Sequence, residues 1–376
     1  MSYIGKTPTP APLTSSDITD GIITSAKIAN GGVETVDIAD ANVTAAKLAS
    51  GTVQNQSAFK NIIINGDMSL AQRSTSVSSI TGAGYNTIDR YRLGGSVPGT
   101  WTQSQATDVP TGQGFATSLK MDCTTADTSL AADEIMNIYQ RFEGQNLQYL
   151  KKGTSSAESL TLSFWVKSNK TGTYVVEIRD ADNDRNICKS YTISSSNTWE
   201  KKELTFAGDT TGALGNDNGN SLNCTWWLAA GTDFTSGTLA TSWEARNNTD
   251  RAVGQVNLAD STSNDWYITG VQLEAGTTAS DFEFLPVDVN LGRCQRYFFK
   301  LLSNRWLYTI SRTADYHRND INFPVQMRAT PTSAVSFSDS GSGTGVQYES
   351  AESVTAFING FSGITDITGG TFEAEL

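Results

Sequence analysis

Chemistry in a protein needs reactive side chains in reach of one another, and this chain offers few. His317 is its sole histidine, so any triad with a histidine base would have to include it, yet no Gly-x-Ser-x-Gly elbow accompanies it. In Tyr316-His317-Arg318-Asn319 it reads as an exposed loop residue. Zinc needs compact ligand clusters, whereas Cys123, Cys188, Cys224 and Cys294 are scattered without CxxC spacing; reduced, buried thiols are expected, and no metal or cofactor. Asp180, Asp182 and Asp184 have the alternating oxygen spacing that hard cations favour. Arg185, however, stands where a calcium loop needs Gly, and no Glu occupies its twelfth place, so a solvated hairpin turn is the better reading. Glycoside hydrolysis needs two carboxylates roughly 5–10 Å apart. With 39 acidic residues such pairs arise in any fold, so none is nominated and no catalytic residue is assigned. The aromatic residues are more suggestive. In a strand Trp226 and Trp227 point to opposite faces, so one indole enters the core and the other reaches outward. Outward aromatics can stack on the apolar faces of sugar rings while polar neighbours bond the hydroxyls. Trp243, Trp306, Tyr308 and Tyr316 are further candidates for such a ligand site, with Trp101 behind them. The expectation is binding, not an enzyme.

Charge narrows the ligand. The formal net charge is −12 and the isoelectric point about 4.6. Duplex nucleic acid, which requires a basic footprint, and anionic membrane surfaces are both disfavoured, while neutral glycans are compatible. No run of eighteen apolar residues occurs, so no membrane insertion is expected. The stretch from Met1 to Lys6, followed by Thr-Pro-Thr-Pro-Ala-Pro, lacks an apolar secretory core, so folding in a cytoplasm is expected.

The elements that must position these side chains fall into distinct segments. At every fifth position from residue 18 stands an aliphatic: Ile18, Ile23, Ile28, Val33, Ile38, Val43, Leu48 and Val53. A small residue usually sits two places earlier, and a longer period of twenty returns Asp17-Ile18 as Asp37-Ile38. On an α-helix this spacing advances each aliphatic by roughly 140°, so no stripe forms. On a flat strand successive aliphatics would alternate faces. The pattern closes only if the chain turns between pentads. That resembles a pentapeptide-repeat coil, or a shaft wound from three chains; about two turns are few for an isolated solenoid, so the homotrimer is preferred. These aliphatics would form the core of a shaft spanning residues 14–56.

Residues 57–290 read as short strands separated by Gly, Asn, Asp and Ser turns, which indicates an all-β sandwich or jelly roll. In Leu160–Lys167 one face holds Leu160, Leu162, Phe164 and Val166. Trp266 and Ile268 share one parity and Val271 and Leu273 the other, so Gly270 between them is a natural bulge. Leu291, Cys294 and Phe298 suggest a short helical connector over 291–300. Strand candidates at Trp306–Ser311, Ile321–Val325, Ala334–Phe337, Val346–Tyr348 and Val354–Ile358 then form a small β-sandwich over 301–376, a tip or a trimer contact.

Three stretches resemble tailed-bacteriophage tail-fibre or tailspike proteins. The first is Phe59-Lys60-Asn61-Ile62-Ile63-Ile64-Asn65-Gly66-Asp67-Met68, with Gln72-Arg73 and Asp89-Arg90-Tyr91 behind it. The second runs from Gln140-Arg141-Phe142-Glu143-Gly144 through Leu160–Lys167. The third runs from Gly270-Val271-Gln272-Leu273-Glu274-Ala275-Gly276 to Phe282-Glu283, then Arg293–Phe298 and Phe323–Pro331. Tyr3-Ile4-Gly5 is similar to virion-attachment ends. The resemblance implies a virion protein, a jelly roll similar to carbohydrate-binding modules, attachment to the phage tail or baseplate through residues 1–13, and recognition of a host-surface polysaccharide or receptor. Two other readings remain: a tailspike that depolymerises the glycan, and an adaptor or collar fibre without receptor contact.

Overall fold

The computed structural model describes residues 59–307, 316–338, 343–359 and 365–376. The chain divides into the units Met1–Gln56 and Ser57–Leu376, and all described residues belong to the second. The shaft-core aliphatics Ile18 to Val53 and the attachment segment 1–13 lie outside the described residues.

Twelve strands build a β-sandwich. One sheet holds β1 (Ser76–Ile80), β3 (Thr100–Ala106), β4 (Ser118–Thr125), β6 (Leu160–Ser168), β9 (Glu200–Phe206) and β12 (Asp265–Ala275), in the order β1-β3-β4-β12-β6-β9. The other holds β2 (Arg92–Gly95), β5 (Ile135–Glu143), β7 (Gly172–Asp180), β8 (Arg185–Ile193), β10 (Asn220–Ala230) and β11 (Glu244–Ala245), in the order β11-β8-β7-β10-β5-β2. All described pairings are antiparallel, and the chain crosses repeatedly between the sheets, as in jelly-roll sandwiches. The inward residues of alternate parity, Leu119, Met121, Phe164 and Ile268 from one sheet and Ile138, Val176, Ile178 and Trp226 from the other, make one continuous core.

The parity change in β12 is real: its register against β6 shifts between Thr269 and Gln272. Gly270 sits there at φ +62°, and a Cβ on it would lie 2.5 Å from the Phe115 ring. Only glycine takes that conformation and that clearance without strain.

A second, smaller β region follows. The helix α2 spans Val287–Gln295, starting four residues before the expected connector and ending before Phe298. Pro286 stands at the N-cap with φ −52° and ψ 142°, just before the first helical residue, and Phe298 belongs instead to the first strand after the helix. Strands β13 (Phe298–Leu307), β15 (Thr332–Phe337) and β18 (Thr365–Glu373) form one three-stranded sheet in the order β13-β18-β15. Strands β14 (Tyr316–Asn322), β16 (Gly343–Gln347) and β17 (Ser353–Asn359) form the other, in the order β14-β17-β16. His317 therefore lies in strand β14, paired with Ile358, and not in a loop. Sequence reading omits β18, whose Thr-Gly-Gly run looks like a turn. It is nevertheless the central strand of its sheet, with Gly370 paired to both Leu301 and Val335. Leu301, Ile321, Val354, Ile367 and Phe372 form the core between these sheets, and Phe299 stacks on Phe372 at 5.8 Å.

Candidate functional site

The proposed sugar-stacking tryptophans of the sandwich are not available for stacking. Trp226 and Trp227 do point to opposite faces of β10, but both are 0% exposed. Trp226 enters the central core against Phe164 and Tyr91. Trp227 faces outward and is covered: the excursion after β10, with α1 (Thr232–Thr235), packs Phe234, Leu239, Ala240 and Ala252 over it. Arg251 lies 5.1 Å above its ring and is locked there by a two-point ion pair to Glu177, at 2.8 and 3.0 Å. Alternation fixed which side each indole takes, but not that a later segment roofs the outer side.

Trp243 is half-buried, bonded through Nε1 to the Ala207 carbonyl at 2.7 Å, with Lys152 at 5.1 Å from its ring; it packs against the core as a latch. Trp101 is in the core, bonded to the Pro98 carbonyl. Trp306 and Tyr316 lie in β13 and β14, but their side chains, and Tyr308 as a whole, lie outside the described residues. The outer face of the other sheet has aromatics too, but Lys167 already lies 4.2 Å over Tyr267 and 5.6 Å over Trp199, whose Nε1 donates to Asp108. Those rings are engaged by the protein's own cation.

The three aspartates are engaged as well. Asp180 accepts from the backbone of Asp182 and Asn183 and pairs with Lys152; Asp182 accepts from Gly215 N; Asp184 pairs with Arg179 and Arg246. They form the β7–β8 hairpin turn. The four cysteines are free and buried, and burial pushes the Cys123 thiol up to about 11. Among the described residues no group of three or more His, Cys, Asp or Glu is placed to hold a metal.

Among the described residues a cleft of about 730 Å³ opens where the sandwich meets the smaller β region. Its floor is a charged network. Glu143, at the end of β5 and fully buried, accepts from Arg296 Nε at 2.7 Å and Nη2 at 2.6 Å, from the Tyr297 hydroxyl at 2.5 Å and from Gln145 Nε2 at 2.6 Å. Burial pushes its carboxyl pKa up, but these donors outweigh it and hold it below the ordinary range. Behind the lining, Arg90 pairs with Glu375, donates to the Arg141 carbonyl at 2.7 Å and lies 3.4 Å over the ring of Tyr297. Arg328 donates to the carbonyls of Ala374, Asn218 and Glu375 at 2.8, 3.1 and 3.0 Å. Thus strand ends far apart in sequence are tied into one floor.

Above that floor stand more exposed groups. Tyr149, in the turn Gln148–Leu150 after β5, is 48% exposed. Partial burial raises its phenol to about 12 against the pull of nearby Arg293. Phe59, 59% exposed, forms another rim, its backbone held by Glu283. Gln145, Asn146, Asn218 and Gln326 are exposed along it, with Gln145 Nε2 bonded to Glu143 and Asn218 Nδ2 to the Arg328 carbonyl at 2.6 Å. Arg293 on α2 donates to the Asn61 carbonyl at 3.1 Å. Sequence reasoning nominated none of these residues. Most of them share one signal: residues of Phe59–Met68, Gln140–Gly144, Arg293–Phe298 and Phe323–Pro331, parts of the three stretches that resemble phage fibre proteins, line this cleft together.

No protein-family model matches the chain, and no curated protein matches it in sequence. Solved structures with a similar β-sandwich include the enzymatically active domain of tailspike protein 4 of bacteriophage CBA120, 16% identical, with a TM-score of 0.31 over 57% of this chain and 21% of that one. The chain thus spans about a fifth of that tailspike structure. Others are the family 11 carbohydrate-binding module of Clostridium thermocellum, crystallised with a mixed-linked tetrasaccharide (11% identity, 55% of this chain and 97% of that one, TM-score 0.27), and a family 30 carbohydrate-binding module (10%, 59% and 97%, 0.26). Similarity of this degree leaves function to be argued from the residues themselves.

Proposed function

We propose that this chain is a tail-fibre-type virion protein that attaches to a host-surface glycan through the cleft between its two β regions. The observation that carries the reading is Tyr149: a half-exposed ring at the mouth of a cleft of about 730 Å³, surrounded by exposed amides. Sugars are bound by this combination, because the ring covers the apolar C–H face while amides and guanidinia satisfy the hydroxyls. The fibre assignment rests on the pentad repeat and on the order of the three fibre-like stretches. A homotrimer wound through residues 14–56 would present identical clefts on one surface, and such multivalency multiplies a weak single-site affinity. Residues 1–13 would join the tail or baseplate. We take the activity as binding without turnover. Glu143 is the one acid among the described residues lining the cleft, and both its oxygens are engaged, whereas hydrolysis needs a pair of carboxylates.

The test is adsorption of purified protein to host cells or isolated surface glycan. Tyr149→Ala should weaken it on the order of tenfold per site, and Tyr149→Phe much less, since the ring does the stacking. Unchanged adsorption by a folded Tyr149→Ala protein would sink the assignment of the cleft.

A further inference from the structure

We propose that the glycan taken by this cleft is anionic, a polysaccharide bearing carboxylate or phosphate groups. The inference rests on the glycan reading above and goes against the chain's overall charge. In a chain of net charge −12, the charged residues lining the cleft are Arg293, Arg296 and Arg328 against Glu143. Glu143 is consumed by Arg296. That leaves two cations in excess where the rest of the surface averages negative.

Among the described residues neither of those two is paired with a carboxylate. Arg328 makes its three bonds to backbone carbonyls, which hold the guanidinium in place but do not neutralise it. Arg293 bonds one carbonyl, Asn61 O, and is half-buried, and this desolvation pushes its pKa below the ordinary range. The carboxylate that most influences it, Glu283, is committed to the backbone nitrogens of Phe59 and Asn61 at 2.5 and 3.0 Å. A desolvated guanidinium with no carboxylate bonded to it is costly, and its planar fork matches an oxyanion at two points. Tyr149 and Arg293 line the same cleft, so a sugar stacked on the phenol would bring an acidic substituent within the cleft that holds the guanidinium. The net negative charge acts on a polyanion at long range, but it is screened beyond about 8 Å at physiological ionic strength, whereas the cleft acts at contact.

The experiment titrates the full chain with three polymers by calorimetry: a uronic-acid oligosaccharide, the same oligosaccharide with its carboxyls reduced to alcohols, and a polyol-phosphate polymer. An acidic polymer should bind on the order of tenfold tighter than the reduced one, the worth of one hydrogen bond to a charged group, and should weaken with added salt. Arg293→Gln should erase the difference and Arg293→Lys should keep part of it, with thermal melts showing both variants folded. The tighter of the two acidic polymers identifies the anion. If the reduced polymer binds as well as the acidic one, and Tyr149→Ala abolishes both, the cleft is a glycan site but the anionic assignment falls. If none of the three binds, the assignment falls together with the glycan reading.

Discussion

Replacing Glu143 by Gln changes the charge at the floor of the cleft and almost nothing of its shape. Four donors converge on this carboxylate, two of them from one guanidinium at 2.7 and 2.6 Å. Its side chain is fully buried, while that of Arg296 keeps 27% of its exposure. Breaking a buried pair by removing one partner costs about 3–5 kcal/mol, because the other charge is stranded. Water can still reach Arg296, so a loss near the lower bound, about 3 kcal/mol, is expected at neutral pH. The folded carboxyl is held below its ordinary pKa, so its contribution is present above the unfolded value of about 4.3 and is lost as pH falls through the folded value. Urea unfolding of wild type and Glu143→Gln at pH 7 and near pH 3 measures both, and the gap between the two proteins should close in acid. The double variant Glu143→Gln/Arg296→Met should recover part of the loss, since it removes the stranded charge. A gap below about 1 kcal/mol at pH 7, or one that ignores pH, would refute the argument that this pair holds the floor together.

Asp89 should behave in the opposite sense. Its buried carboxyl, which accepts from Gln72 N at 3.0 Å and Nε2 at 2.6 Å, has its pKa raised by burial from 3.8 to about 6. The folded state therefore holds this proton more tightly than the unfolded chain does, and the ionised form is a penalty that is relieved as pH falls from about 6 toward 4. Asp89→Asn should gain on wild type by up to about 3 kcal/mol as pH rises from about 4 to 7, whatever constant offset its altered hydrogen bonds impose; a gain in the other direction would overturn this. In sedimentation the full chain should run as a trimer, and serine at Ile18, Ile28, Ile38 and Leu48 should dissociate it. A clean monomer at micromolar concentration would remove the trimeric shaft.

Local rules read the sandwich well because its strands obey them. The two-residue period assigned Trp226 and Trp227 to opposite faces, and the break of parity in β12 located the bulge at Gly270. What these rules lacked was knowledge of what lies above a face. The segment that roofs Trp227 comes after β10 and carries no periodic signal of its own, so an outward indole and an exposed one were indistinguishable. The reverse failure produced the omission of β18, where Gly369 and Gly370 suit a turn by propensity but are held extended between two partners. Tyr149 was invisible for a third reason. It stands on a short turn whose position is set by Leu147 and Leu150 anchoring beneath it, and by nothing in its own neighbourhood.

The site itself was legible in a different currency. A chain with only 18% charged residues places Arg and Glu beside large apolar neighbours in Gln140-Arg141-Phe142-Glu143 and in Arg293-Cys294-Gln295-Arg296-Tyr297-Phe298. Charges so placed are drawn into the interior with their neighbours, and interior charges persist only when paired. Such segments therefore have to find one another, and Glu143 meets Arg296 across 153 residues of sequence. The consequence reaches the ligand. A floor fixed by bidentate pairing and backbone carbonyls leaves Arg296 and Arg328 little freedom to lose when a sugar arrives, so binding is not taxed by ordering them. Under the proposed function, the network beneath the cleft would let a small number of polar contacts and one aromatic ring hold a surface glycan.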